Sequence, residues 1–176
     1  MFTRFRQMPA TAMAAVLGCA LIASAAPAAA KDKPKKEETK KATEVPVSKG
    51  FTPSVKKMID ATAAKDAAAL QAVLTETQAS ATEAGDRYWH GYYTLQLGLL
   101  NKDTALQDKG LDAMLDSGVS PPESLGAYNF YSGNFAYVAK NYPKAIQRLE
   151  AAQAGGSKEA NLSLLLMDSY LNNNQV

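Results

Sequence analysis

Few side chains in this sequence are equipped for chemistry. Once the leader described below is removed, the chain has no cysteine and one histidine, His90. A cysteine–histidine pair is therefore ruled out, and a serine nucleophile would have only His90 as its base. His90 stands between Trp89 and Gly91 in an aromatic-rich stretch, a setting that suits a structural or partly exposed histidine better than a catalytic one. Asp108, Asp112 and Asp116 follow one another at four-residue spacing. On a helix this makes an acidic stripe, most simply a solvated face, with a cation site as the alternative. The remaining acids are scattered without the spacing of a zinc or calcium site. Gly155-Gly156 lacks the lysine and following hydroxyl of a phosphate loop and reads as a helix stop. The expectation is a protein without catalysis, metal or cofactor, one that works by binding.

The elements that position these residues are helical from Thr52 onward, because apolar side chains recur at helical spacing and no stretch alternates with period two. Thr52-Pro53 opens a first helix carrying Val55, Met58, Ile59 and Ala63. Asp66 caps a second with Leu70, Val73 and Leu74, fading near Gln78. A third starts at Asp86 and carries two stripes, Tyr88-Tyr92-Leu95-Leu99 and Tyr93-Leu97-Leu100. A fourth covers about residues 104–117 and closes at Gly118. Ser120-Pro121-Pro122-Glu123 has the form of a capping box with proline at the first helical position, and opens a helix reaching about Ala139. Another begins near Asn141-Tyr142-Pro143 and stops at Gly155-Gly156, and a last one runs from Ser157 through Leu171. Short links between seven helices imply antiparallel neighbours.

The N-terminal fifty residues have a different character. Arg4 and Arg6, an apolar run from Ala12 to Ala25 and the small-residue stretch ending at Ala30 make residues 1–30 a signal peptide, with cleavage after Ala30. The mature chain is then periplasmic or secreted. Val16-Leu17-Gly18-Cys19 loosely resembles a lipoprotein cleavage box, so a lipid anchor at Cys19 is the minority alternative. Residues 31–50 hold seven lysines, four acids and two prolines and read as a flexible spacer. The domain over residues 51–176 has ten basic against thirteen acidic side chains. That balance argues against nucleic acid as a partner, which would need a dense basic face.

Gly126 to Glu159 reads as one unit of thirty-four residues. Gly133, Ala145, Leu149 and Ala152 fall at its eighth, twentieth, twenty-fourth and twenty-seventh positions, and in this the segment resembles a tetratricopeptide repeat. Thirty-five residues earlier, Gly98, Gly110 and Met114 take matching places in a weaker unit, 91–125, and thirty-four later Met167 and Tyr170 do so in an incomplete unit, 160–176. Residues 53–77 fit only as a degenerate unit. The resemblance implies an all-α fold of antiparallel helical hairpins, stacked as a short right-handed α-solenoid in which small residues let paired helices approach.

It also implies a groove along the first helix of each hairpin. Its positions correspond here to Ala127, Phe130, Asn134, Tyr137 and Val138, and to Tyr92, Leu95, Leu99, Lys102 and Asp103 one unit earlier. Of these, Tyr92, Leu95, Leu99, Phe130, Asn134 and Tyr137 form the candidate partner-binding set, suited to an apolar peptide or protein segment. Against this stands the expectation that most of Tyr88, Trp89, Tyr92, Tyr93, Phe130, Tyr131, Phe135 and Tyr137 fill the interior. The C-terminal helix, apolar on nearly all sides, offers residues 160–172 as a second surface, through which the chain could self-associate as a structural subunit.

Overall fold

The computed structural model describes residues 45–173. The leader over residues 1–30, with Cys19 and the cleavage point, lies outside the described residues, as do residues 31–44 of the spacer and the last three of the chain.

Three short turns set the architecture. Lys65, Lys102 and Lys140 take left-handed backbone conformations, with φ of 55°, 56° and 60°. The residue after each lysine caps the next helix. Asp66 accepts from the Ala69 amide at 2.9 Å, Asp103 from the Ala105 and Leu106 amides at 2.9 and 3.0 Å, and the Asn141 side chain from the Lys144 amide at 3.3 Å. The amides of these capping residues also donate back to the carbonyls of Ala61, Gly98 and Ala136, at 2.9, 2.8 and 2.8 Å. This is the bonding of a Schellman closure. The left-handed position normally favours glycine, and a lysine there costs roughly 1 kcal/mol; its cation partly offsets that at the negative end of the helix it closes.

These turns join α1 (Thr52–Ala63) to α2 (Ala67–Thr77), α3 (Ala84–Asn101) to α4 (Thr104–Asp116), and α5 (Pro122–Val138) to α6 (Tyr142–Ala154); α7 (Leu162–Asn172) follows, and a short 3₁₀ turn, Gln78–Ser80, extends α2. The described residues contain no strand. The fold is thus all-α and repeat-like: three antiparallel hairpins in a row, with α3 packing on α1 and α2, α4 on α5, and α7 on α6 and α5. No helix of the described residues is long and apolar enough to cross a membrane.

Aligned on their turns, the hairpins repeat at thirty-seven and thirty-eight residues, so the spacing of thirty-five read from the sequence is out by three. In the observed register the interior positions coincide: Met58, Leu95 and Gly133; Ala61, Gly98 and Ala136; Leu70, Gln107 and Ala145; Leu74, Leu111 and Leu149, all buried. The first hairpin, α1 with α2, shares this register. A slip of three residues is almost one helical turn, so it leaves an apolar stripe looking intact. The close contacts correct the pairing. A Cβ on Gly98 would lie 2.6 Å from the Gln107 amide nitrogen, one on Gly110 would lie 2.4 Å from that of Leu95, and the space at Gly133 is filled by Leu149, 2.8 Å away at Cγ. On α7 the wholly buried small residue is Ser169, while Met167 is 55% exposed.

Two apolar clusters hold the stack. Phe51, Met58, Leu70, Leu74, Tyr93 and Leu97 form the first; Phe130, Ala136, Ala145, Leu149, Ala152 and Leu162 form the second. Residues 45–50, expected as part of the flexible spacer, are fixed against α3. Ser48 donates to the carboxylate of buried Asp86 from its amide at 2.9 Å and from its hydroxyl at 2.8 Å. Trp89 Nε1 donates to the Val45 carbonyl at 3.0 Å, and the Pro46 carbonyl occupies the space a side chain on Gly85 would need. Asp86 therefore secures the incoming chain, and α3 starts two residues before it. Ser120 is not the expected cap: its hydroxyl donates to the Met114 carbonyl at 2.7 Å, and α5 opens at Pro122 with no side-chain cap. The last helix begins at Leu162, later than the expected Ser157.

Candidate functional site

The six residues expected to line a groove separate into two groups. Leu95 and Phe130 are core residues, 0% and 4% exposed. The slipped register explains Leu95, whose turn-aligned equivalent is buried Gly133. Tyr92, Leu99, Asn134 and Tyr137 are half-buried and keep part of their surface. Leu99 and Tyr137 are equivalent positions, and Asn134 matches Gln96, which the expected register passed over. Lys102 and Asp103, also assigned to the groove, belong to the turn instead. Tyr137 donates its hydroxyl to Asp168 on α7 and meets Tyr142 edge to face, with ring centres 6.1 Å apart. Next to it Val138 is 69% exposed, the largest exposure among the exposed apolar side chains. The first-helix face is therefore a mixed apolar and amide surface ending in a bare valine.

Tyr88 and Tyr128 bridge α3 and α5 with hydroxyls 3.4 Å apart, and Trp89, Tyr92 and Tyr93 pack edge to face or stacked beside them. Burial is the main cause that pushes the Tyr88 phenol far above its ordinary value and that of Tyr93 up to about 12; burial also raises Tyr92. These phenols stay neutral at ordinary pH, so they pack and donate but do not serve as bases.

On the second-helix side the acidic stripe is not a free solvated face. Lys144 reaches Asp108 at 2.6 Å and Asp112 at 2.5 Å, while Arg148 reaches Asp112 at 2.8 Å and Asp116 at 3.2 Å. Ser132 on α5 donates to Asp108 and Asp112 at 3.0 and 3.1 Å. Burial alone would lower the Lys144 pKa, but the hydrogen bonds to Asp108 and Asp112 outweigh it and hold it above the ordinary lysine value. This ladder joins α4 to α6.

Between α3, α4 and the segment that follows α2 lies instead an open recess of about 270 Å³, whose lining includes Gln78, Arg87, His90, Lys109 and Asp116. His90 donates from Nε2 to the Leu74 carbonyl at 3.0 Å, and its own carbonyl accepts from the Thr94 hydroxyl at 2.9 Å. The histidine thus ties α3 to α2. Among the described residues no three His, Cys, Asp or Glu side chains are grouped so as to hold a metal ion. Arg87 and Lys109 were missed in the sequence because they lie twenty-two residues apart on different helices, and only the packing of α3 on α4 brings them to one recess.

The class defined by fold and surface is an all-α protein of stacked helical hairpins. Comparison with protein-family models, with curated proteins and with solved structures finds no match.

Proposed function

We propose that this chain is an exported interaction module of tetratricopeptide-like design, holding a protein or peptide segment against the first helices of its hairpins without catalysing a reaction. The signal-peptide pattern over residues 1–30 supports a periplasmic or secreted location. The observation that carries the binding role is the row of partly exposed side chains at equivalent places on α3 and α5, namely Gln96 with Asn134 and Leu99 with Tyr137, ending at Val138. Such a face offers apolar area together with amides that can meet a peptide backbone.

A photo-activatable side chain placed at Val138 in the full chain, in cells that export it, tests this reading. A discrete adduct with another protein is expected from position 138 and none from exposed Gln147 on α6. Equal labelling at both positions, or none at 138, would refute it.

A second reading rests on α7, where Leu164, Met167 and Leu171 are 44%, 55% and 48% exposed and lie on one side of the helix. In it the chain is a structural subunit that self-associates through α7. Sedimentation decides: self-association that Met167→Asp abolishes favours this role, and a concentration-independent monomer removes it.

A further inference from the structure

Two places along this stack bring charged side chains together in different ways. Between α4 and α6, two cations meet three carboxylates: Lys144 and Arg148 are neutralised by Asp108, Asp112 and Asp116. In the observed register the residues matching those aspartates are Gln71 and Thr75 on α2 and Ala79 in the 3₁₀ turn, none of them charged. The places of Lys144 and Arg148 are taken on α4 by Leu106 and Gly110, so no such ladder can form there. Arg87 and Lys109 both line the recess, and neither has a carboxylate within ion-pairing distance among the described residues. Arg87 spends one N–H on the Thr82 carbonyl and keeps its other donors. Asp116, the one acid in the lining, lies 3.2 Å from Arg148 and is 70% exposed.

We propose that the recess is a binding site for a carboxylate, with Arg87 and Lys109 as its charged donors and the Gln78 amide as a neutral one. The ligand supplies a negative charge to two cations that form no ion pair among the described residues. An Arg–Lys pair suits an oxyanion, because the guanidinium gives a planar fork of N–H groups and the ammonium a compact point charge. A volume of about 270 Å³ lies just under the usual range for small-molecule pockets, roughly 300–1,000 Å³. It therefore fits an acidic side chain, a peptide's terminal carboxylate or a free dicarboxylic acid, and not a nucleotide. Ala81 and Ala113 provide apolar wall for the methylenes of such a group. The site is built from α3, α4 and the segment after α2, and its lining includes neither Gln96 nor Leu99 of the proposed first-helix face.

Titration calorimetry on the full chain at low salt tests the assignment with two probes: succinate, for a free acid, and blocked Ala-Asp-Ala, for a peptide side chain. Binding of either probe is expected with a dissociation constant on the order of 1 mM, weakened roughly tenfold by Arg87→Gln or Lys109→Gln and unaffected by Lys158→Gln. Gln78→Glu, which adds a second carboxylate to the lining beside Asp116, is expected to weaken binding further than either cation variant. Preference for one probe identifies the source of the carboxylate. Thermal unfolding of each variant checks that it is folded; both cations are on exposed residues, so their replacement should leave the fold intact. No heat from either probe up to about 20 mM, which is well above the expected constant, would overturn the proposal. So would equal affinity in the wild type and the two cation variants.

Discussion

The α4/α6 junction is sealed by the chain's own charges, whereas the recess between α3, α4 and the segment after α2 is left open. At the sealed junction the ionic groups are partly withdrawn from water, with Lys144 and Arg148 side chains 22% and 17% exposed and those of Asp108 and Asp112 22% and 28%. At the open one, Arg87 and Lys109 are exposed and share the lining with neutral Gln78, Ala81 and Ala113 and with Asp116. A repeat fold fixes where neighbouring helices lie. It does not fix which of their side chains complete one another, so gaps between helices can serve stability in one place and recognition in another.

The largest expected effect comes from opening the sealed junction. Asp112 bonds both cations and Ser132, so Asp112→Ala strands partly buried charge and should destabilise the domain by about 2 kcal/mol, between the values for exposed and fully buried pairs. Urea unfolding measures it, and a loss below about 0.5 kcal/mol, typical of an exposed pair, would make the two junctions energetically alike. A smaller test concerns the equivalence of the hairpins, on which the matching of positions depends. Lys65→Gly, Lys102→Gly and Lys140→Gly should each stabilise by about 1 kcal/mol, because glycine takes the left-handed turn without strain. A clear gain at only one of the three turns would deny that they are equivalent.

The smallest effect is in alkali. The folded-state pKa of Lys144 is raised, so its contribution is fully present below the ordinary lysine pKa of 10.5 and is lost as pH rises through the raised value. Buried Tyr88 and Tyr93, also raised, act in the same direction. The melting temperature should therefore fall above about pH 10, and Lys144→Met should make the fall shallower. Parallel curves for the two proteins would assign the loss to the tyrosines alone.

Much of the fold was legible in the sequence. The helix starts at Asp66 and Asn141 and the stop at Gly118, whose φ is +74°, follow from local chemistry and stand as expected. The repeat register was not legible. Its markers are lysines in a conformation expected of glycine, and apolar spacing tolerates a slip of nearly one turn. That slip placed buried Leu95 in the groove and passed over Gln96. The acidic stripe was visible, but its partners lie thirty-two or more residues away on α6, and no local rule predicts such pairing. The recess was invisible for the same reason, since its cations become neighbours only when α3 and α4 fold together.

A double-mutant cycle on Asp112 and Arg148, read by urea unfolding at low salt, tests most directly whether the α4/α6 junction is held by its charges. The account predicts a coupling of at least about 1 kcal/mol, reduced by added salt. Additive single-mutant effects, with a coupling within about 0.3 kcal/mol of zero, would contradict it.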